Sequence, residues 1–176
     1  MWKVNVKDNQ NSAFGRSFIW IAWILALGIL IFAFQGVLDR QWNPNQQPDS
    51  SLSSQGKASV TLKQNRSGHY ITSGTINSEP VIFLLDTGAT QVSIPASVAE
   101  RLGLEGYGSY PVQTANGTVR VFRTKIQSLS IGNLYLYDVD AHINPGMQSD
   151  EILLGMSALK KVEFRQTGNQ LVLQQR

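Results

Sequence analysis

One uncharged stretch near the N-terminus limits the structure of this chain more than any other part of the sequence. Residues 17–38 carry no charged side chain, and residues 18–34 carry no strongly polar one. These 22 residues would form a helix about 33 Å long, which matches the roughly 30 Å hydrocarbon core of a bilayer. Trp20 and Trp42 lie near its two ends, where indole rings favour the headgroup region. The sequence predicts a single transmembrane helix over residues 18–38, after a cytoplasmic tail of residues 1–17.

A cleaved signal peptide is the main alternative for this stretch. Signal peptides usually have a shorter apolar region and a small-x-small cleavage pattern, which does not follow Phe34. Three basic side chains and the terminal amine precede the helix, whereas Arg40 and Lys57 follow it closely. Because positive charge is retained in the cytoplasm, we expect an uncleaved anchor in the inner (cell) membrane, with the C-terminal domain on the exported, periplasmic side.

Composition excludes several classes of function. The chain has no cysteine, so disulfide scaffolds, thiol nucleophiles and thiolate metal sites are ruled out. Its two histidines, His69 and His142, are too few to hold a metal by themselves, and we predict neither a metal nor a cofactor. The net charge is +3, but residues 58–176 contain ten basic and nine acidic residues. The excess positive charge therefore lies mainly in the N-terminal tail, which argues against a nucleic-acid partner.

Two further segments follow the apolar stretch. Residues 39–57 are rich in Gln, Asn, Ser and Pro, which predicts a flexible linker. From residue 58 to residue 176 the sequence has short runs of alternating apolar and polar residues, separated by Gly, Asn, Ser and Pro. This spacing predicts an all-β domain, with two short helices over residues 95–104 and 156–162. Asn116-Gly117 predicts a tight hairpin turn, because such turns need positive φ.

The most informative motif is an acidic residue directly after an apolar strand. The five apolar residues 81–85 lead into Asp86-Thr87-Gly88-Ala89. A buried strand that ends in this way places the carboxylate at the edge of the core, where it needs hydrogen bonds or a proton. A chemically inactive turn is the alternative, in which Asp86 bonds its own backbone and Gly88 supplies positive φ. A second apolar strand, Ile152-Leu153-Leu154-Gly155, precedes the second predicted helix.

Together, these two motifs resemble the aspartic proteases of the retroviral-protease (retropepsin-like) type. The order of an N-terminal membrane helix, LLDTGAT, a TANGT hairpin and ILLGMSALKKVEF resembles the membrane-anchored bacterial branch of that clan. The resemblance covers residues 58–176 and implies a small closed β-barrel with one or two short helices.

The resemblance also implies roles for individual residues. Asp86 matches the catalytic aspartate, and Ala89 belongs to the same active-site loop. Thr87 matches the threonine whose hydroxyl crosses to the loop of the partner subunit, and Gly88 matches the glycine beside the two aspartates. The structural motif that supports this loop matches Leu153, Leu154 and Gly155. The flap that covers the substrate corresponds to the hairpin around Ala115, Asn116 and Gly117.

This chemistry needs two carboxylates that share one proton, one acting as a base towards water and the other polarising the scissile carbonyl. The chain has a single Asp-Thr-Gly triplet, so we expect a homodimer that brings two copies of Asp86 together and cleaves a peptide or protein substrate. Two alternatives remain: a non-catalytic module that binds a peptide or an envelope partner, and a single-pass scaffold that interacts through its helix.

Other polar side chains have simpler interpretations. Asp138 and Asp140 alternate with apolar residues, which predicts the solvent face of a strand. His69 and His142 each stand alone beside a strand pattern. The remaining candidates are two serines without a nucleophile elbow and two lysines at a predicted solvated helix end: Ser93, Ser97, Lys160 and Lys161.

Overall fold

The structure of the protein is a computed structural model that describes residues 11–53, 56–114 and 117–176. The chain divides into two compact units, one that ends at Asp39 and one that extends from Arg40 to Arg176.

The first unit consists of most of one long helix. Helix α1 spans Asn11–Trp42, and its segment Phe18–Trp42 has a mean hydropathy of 2.4. The helix ends at Trp42 because Asn43 precedes Pro44, and a residue before proline disfavours the helical conformation. By length and composition this helix can cross a membrane. A signal sequence near the N-terminus would satisfy the same criterion, so the choice between the two stays a prediction.

The second unit is mostly β-structure, as predicted. Its strands, in chain order, are β1 Asp49–Leu52, β2 Ala58–Lys63, β3 Ile71–Ile76, β4 Glu79–Leu85, β5 Val92–Pro95, β6 Tyr107–Thr114, β7 Gly117–Ile131, β8 Leu134–Asn144, β9 Glu151–Leu154, β10 Val162–Thr167 and β11 Gln170–Gln175. Two short helices interrupt them, α2 Ala96–Arg101 and α3 Met156–Leu159. Both lie within the predicted ranges and are shorter than expected. Several alternating runs in the sequence correspond to strands that bury one face, such as β7 and β11, whereas all four residues of β5 are buried.

The strands form two sheets. The larger sheet has the order β3-β4-β9-β5-β8-β7-β6, and β3 also pairs with β7. That additional pairing spans two residue pairs, so this sheet curls back on itself as a partly closed barrel. The smaller sheet has the order β1-β2-β11-β10. Strands β4 and β9 run parallel, as do β5 and β8. The ends of β4 and β9 therefore point the same way and bring the two sequence motifs together.

A single apolar core fills the barrel and extends to the smaller sheet and the short helices. Its fully buried members include Phe83 and Leu154, which precede the two motif glycines in sequence. The large apolar side chains buried deepest are Phe83, Leu62, Ile76, Ile94, Ile126, Leu129, Ile131, Leu134, Ile152, Leu154, Leu173 and Val60. The motif strands are thus anchored in the core by their buried face.

The prediction of a flexible linker over residues 39–57 is wrong for much of that range. Asn43 and Asn45 are buried, and residues 49–52 form β1, which pairs with β2. The Asn45 side chain accepts a hydrogen bond from Lys63 N at 2.7 Å and donates to the carbonyl oxygens of Lys63 and Ile71 at 2.9 and 2.7 Å. Asparagine can donate and accept at once, so hydrogen bonds hold the segment without apolar side chains.

The predicted solvated end of the second short helix also needs correction. Lys161 Nζ donates to the carbonyl oxygens of Tyr137 and Asp138, at 2.6 and 3.0 Å. Asp138 has a positive φ of 51°, and the lysine satisfies the backbone oxygens exposed by this local distortion of β8. The side chains of Asp138 and Asp140 are exposed and alternate with the buried Val139 and Ala141, which confirms the predicted solvent face.

Candidate active site

Asp86 follows the last residue of β4 and opens a tight loop. Its backbone N–H donates to Leu154 O at 3.2 Å, and its carboxylate Oδ1 accepts from Gly88 N at 2.8 Å. Asp86 is half-buried and Thr87 is exposed. The turn alternative is therefore partly correct, because the carboxylate does bond its own backbone. Gly88, however, does not adopt a positive φ. The second carboxylate oxygen, Oδ2, carries no hydrogen bond among the described residues.

The second motif packs directly against this loop. A Cβ atom at Gly155 would collide with the carbonyl oxygens of Ala89 and Gln91, so glycine is required by close backbone approach. Immediately after it, Met156 N donates to Ala89 O at 2.8 Å and Ser157 N donates to Thr90 O at 3.0 Å. The start of α3 thus fixes the loop that carries Asp86.

Ser157 adds a buried connection that the sequence did not reveal. Its Oγ accepts from Val92 N at 2.9 Å and donates to Asp140 O at 2.7 Å. One hydroxyl therefore joins α3 to β5 and β8, just beyond the loop. The geometry of Leu154 and Gly155 is that of a support under the loop, while their function in this chain stays a prediction.

A cavity of about 800 Å³ opens above the Asp86 loop. The hairpin of β6 and β7 forms one wall, since five consecutive residues of β6 line the cavity. Its lining residues are Asp86, Gly88, Ala89, Thr90, Gln91, Ser93, Tyr110, Pro111, Val112, Gln113, Thr114, His142, Asn144 and Leu153. Asp86 is the one acidic side chain among them.

Of the residues that the sequence assigned to a flap, the structure describes Gly117, at the end of this hairpin. Thr114 pairs with Gly117, which has a φ of 110° and begins β7. The predicted flap residues Ala115 and Asn116 lie outside the described residues. The arm of the hairpin that lines the cavity, 110–114, was not assigned from the sequence.

Four polar side chains in the cavity wall form a hydrogen-bond chain. Tyr110 OH donates to Gln91 Oε1 at 3.0 Å and lies 3.2 Å from His142 Nδ1. His142 Nε2 lies 2.8 Å from Ser93 Oγ. The Arg123 guanidinium covers the Tyr110 ring at 4.6 Å from its centroid. Burial lowers the pKa of His142, whereas burial raises the pKa of Tyr110 against an opposing effect of Arg123.

This chain of contacts does not form a serine-hydrolase site. Ser93 lies within β5 and is 3% exposed, so a substrate carbonyl cannot reach its oxygen. The second nitrogen of His142 contacts Tyr110, not a carboxylate, so the orienting acid of a nucleophilic triad is missing. His69 is exposed, and Ser97 lies in α2. In the described parts of the chain, no group of three or more His, Asp or Glu could hold a metal ion.

Comparison with known proteins agrees with this geometry. The model of the family described as gag-polyprotein putative aspartyl protease matches residues 72–161, about half of the chain, from within β3 to just past α3. The chain belongs to this aspartyl protease family. The matched region contains the Asp86 loop, the hairpin and the Leu153-Leu154-Gly155 support. The resemblance stated from sequence to the retropepsin-like aspartic proteases is thereby confirmed at the level of the family.

Two relatives illustrate how far the similarity extends. A crystal structure of a retropepsin-like aspartic protease from Rickettsia conorii superposes with a TM-score of 0.57 at 25% identity, over 73% of this chain and 96% of that one. An uncharacterized protein in the cobV 5′ region of Sinorhizobium sp. is 31% identical over 116 residues, 64% of this chain. The chain spans 50% of the length of that curated relative. The retropepsin-like fold class is confirmed, and both the family and the fold are those of aspartic proteases.

Proposed function

We propose that this chain is a membrane-tethered aspartic endopeptidase whose active site forms when two copies of Asp86 meet in a homodimer. The observation that carries the proposal is the Asp86 loop: a carboxylate at the edge of an 800 Å³ cavity, within the matched family region. The loop is held by backbone hydrogen bonds from two elements and by the close approach of Gly155. Such pre-positioning is what a catalytic carboxylate needs.

The proposed reaction divides the work between the two carboxyl groups. The ionised one removes a proton from a bound water while the water oxygen attacks the carbonyl carbon of the peptide. The protonated one donates its proton to the carbonyl oxygen, which gives a neutral tetrahedral intermediate. The carboxyl group that took the water proton then donates it to the leaving nitrogen, the other carboxylate removes a proton from one hydroxyl of the intermediate, and the C–N bond breaks to give an acid and an amine. Because two close carboxylates cannot both be ionised readily, the proton is shared and titration belongs to the pair.

The proposal of a dimer rests on the number of acidic side chains that line the cavity of one chain. Asp86 is the one acid among its lining residues, and Asp138 and Asp140 project into solvent from β8. A second carboxylate must therefore come from another copy of the chain. Two-fold symmetry places identical loops opposite each other, and the exposed Thr87 would then contact the partner loop. Tethering both chains in one membrane would raise their effective concentration.

The remaining predicted residues have supporting roles in this proposal. Gly88 and Ala89 shape the loop, Leu154 and Gly155 support it from the core side, and Leu153 of the same motif lines the cavity. The hairpin, with Ala115, Asn116 and Gly117 at its tip, would cover an extended peptide. Main-chain hydrogen bonds would supply much of the affinity for such a peptide. The proposal requires neither a metal nor a cofactor.

The proposed location rests on α1. We place residues 18–38 in the inner membrane with the N-terminus in the cytoplasm and the domain in the periplasm, on the basis of the basic residues before the helix. A reporter that is active only after export, fused to the C-terminus of the chain, tests this orientation. An inactive reporter, together with an active cytoplasmic one at the same position, would reverse the assignment.

The central experiment compares the full chain in detergent with its Asp86→Asn variant, using a peptide library at acidic to neutral pH. The variant keeps the size and the Oδ1 acceptor of Asp86 and removes the charge, so we expect cleavage to fall by at least about 1000-fold, as for other essential catalytic groups. Asp140→Asn is the matched control, because Asp140 is an exposed aspartate on β8, and it should retain wild-type rates. Equal cleavage by the Asp86→Asn variant and the wild type would rule out the mechanism.

Subunit mixing tests the shared site separately. When wild-type chains exchange randomly with an equal amount of Asp86→Asn chains, half of the wild-type chains pair with a variant, so activity should fall to about one half. With a threefold excess of variant it should fall to about one quarter by the same pairing statistics. A monomeric active enzyme would lose no activity in either mixture, and that result would exclude the dimeric site.

A further inference from the structure

The side chain of Tyr110 joins the hairpin wall of the cavity to Gln91 and to His142 of β8. Strand β6 is the edge strand of the larger sheet and pairs with β7 alone in the described part of the chain. An edge strand of this kind is held by backbone hydrogen bonds on one side, so side-chain contacts matter more for its position. A β-bulge between Tyr107 and Ser109, with Gly108 at a φ of 56°, precedes Tyr110 and redirects the strand.

Contacts with three residues fix the Tyr110 side chain. Its hydroxyl donates to Gln91 Oε1 at 3.0 Å and meets His142 Nδ1 at 3.2 Å. Its ring meets the His142 ring edge-on, with centroids 6.2 Å apart and an interplanar angle of 83°. The Arg123 guanidinium lies over the ring face at 4.6 Å. An edge, a face and a polar tip are all engaged, so the ring has a single defined position.

The hydrogen bonds form a continuous chain when each proton is used once. Because Tyr110 donates to Gln91, its oxygen accepts from His142 Nδ1–H, and His142 Nε2 is left to accept from Ser93 Oγ–H. Met147 Sδ, 3.2 Å from the same serine oxygen, competes for that proton but is the weaker acceptor. Asn144 Nδ2 donates to Ser93 Oγ at 3.4 Å at the end of the chain. The neutral imidazole satisfies every member. Buried polar networks that are fully satisfied rigidify their surroundings.

The hydrogen-bond chain ends at Gln91, in the loop that carries Asp86. Gln91 directly follows Thr90, whose carbonyl oxygen is held by Ser157 N. Gln91 itself has its backbone oxygen packed against Gly155. The backbone segment that positions Asp86 therefore also positions Tyr110 and its hairpin.

We propose that Tyr110 and His142 are positioning residues, whose hydrogen-bond chain from Gln91 to Ser93 fixes the hairpin wall relative to the Asp86 loop before substrate binds. The inference rests on the proposed function. Neither side chain takes part in bond making, since both are engaged within the protein. Their effect is pre-organisation. A hairpin already in place need not be ordered when a peptide enters the cavity, so binding loses less conformational entropy and the affinity for the peptide is higher.

The test uses the full chain in detergent and the variant Tyr110→Phe, which keeps the ring contacts with Arg123 and His142 and removes the hydroxyl alone. Loss of one or two hydrogen bonds should raise KM for a cleaved peptide about 5- to 30-fold. The kcat per titrated active site should stay within about threefold, because bound peptide itself holds the hairpin. Tyr107→Phe is the matched control on the same strand, since Tyr107 is 59% exposed, and its KM should equal that of the wild type.

Two further variants test whether Tyr110 and His142 act through the same hydrogen-bond chain. His142→Leu should raise KM as much as Tyr110→Phe does, and the double variant should show little additional rise, because both changes break the same chain. His142→Gln, whose amide can donate and accept, should recover part of the affinity. A simple loss of folded protein would lower the titrated concentration of active sites and leave KM unchanged.

Amide hydrogen exchange gives a readout that does not depend on activity. Exchange at Val112 and Val119, a cross-strand pair of the hairpin, should be faster by about tenfold or more in Tyr110→Phe than in Tyr107→Phe, while core strands stay unchanged. The proposal is overturned if KM and hairpin exchange of Tyr110→Phe match those of Tyr107→Phe. If the wild type shows no Asp86-dependent cleavage, the proposed function fails, and exchange still decides whether the chain holds the hairpin.

Discussion

Asn45 offers a sharp test of how residues 43–52 join the domain. Its side chain makes three hydrogen bonds to backbone atoms of Lys63 and Ile71, at 2.7 to 2.9 Å, and it is 3% exposed. Each bond contributes about 1 kcal/mol net, and each partner left buried without a hydrogen bond costs about 1 to 3 kcal/mol. Allowing for partial rescue by water, Asn45→Ala should lower the free energy of unfolding by about 3 to 5 kcal/mol.

The assay is urea unfolding of residues 40–176, the compact second unit. Asn45→Asp separates shape from hydrogen bonding, because a carboxylate has the same size but faces the Lys63 and Ile71 carbonyl oxygens without a proton to donate. It should be at least as destabilising as Asn45→Ala. Gln46→Ala is the matched control, since Gln46 is an exposed amide one residue away, and it should change the free energy by less than about 0.5 kcal/mol.

Two outcomes would contradict this reasoning. Equal unfolding free energies for Asn45→Ala and Gln46→Ala would mean that the asparagine is not a structural anchor. A fragment of residues 58–176 as stable as residues 40–176 would mean the same for the whole segment, because the shorter fragment lacks both Asn45 and β1. We expect the shorter fragment to be the less stable of the two.

Four other predictions follow from the site. Gly155→Ala should destabilise the domain by about 1 to 3 kcal/mol, measured by urea unfolding, and abolish cleavage, because its Cβ would collide with two carbonyl oxygens of the Asp86 loop; a wild-type rate would show that the loop tolerates displacement. Ser157→Ala should cost about 2 kcal/mol in the same assay, since the hydroxyl serves Val92 N and Asp140 O; a neutral effect would place water in its role. Burial lowers the pKa of His142 in the folded protein, so the unfolded state binds more protons as pH falls below the ordinary histidine value of about 6.5. The free energy of unfolding should therefore decrease below that pH and level off below the pKa of the folded state. His142→Gln should lack this pH dependence, and identical curves of stability against pH for the two proteins would contradict the prediction. A statine-type transition-state mimic should raise the melting temperature of the wild type and not that of Asp86→Asn, and equal shifts would indicate binding unrelated to the proposed dyad.

Much of the fold could be predicted from the sequence because its signals are local. Alternation of apolar and polar residues marks the faces of half-buried strands, and it located β2, β3, β4, β5, β7, β8 and β11. The run into Asp86 and the run into Gly155 were recognisable as buried strands because their apolar residues are consecutive. The uncharged stretch specified a helix by its length and composition alone.

The segments that were missed depend on contacts distant in sequence. Residues 43–52 contain little that a core can use, yet Asn45 bonds to backbone 18 and 26 residues away. A lysine at the end of a helix, such as Lys161, is usually solvated. In the structure Lys161 instead donates to carbonyl oxygens of β8 at its local distortion around Asp138. Hydrogen bonds between polar groups leave no periodic pattern, so no inspection of the local sequence detects them.

The sequence by itself determined the chemistry that is possible: one carboxylate in a strand-ending loop, a glycine-bearing strand to support it, and no thiol. The tertiary structure decided the surroundings of that carboxylate. It alone brought Tyr110, His142, Ser93 and Gln91 into one hydrogen-bond chain, from β6, β8, β5 and the Asp86 loop. The physical reason is that covalent order fixes which groups exist and which neighbours they have along the chain, whereas strand pairing sets the distances across the cavity.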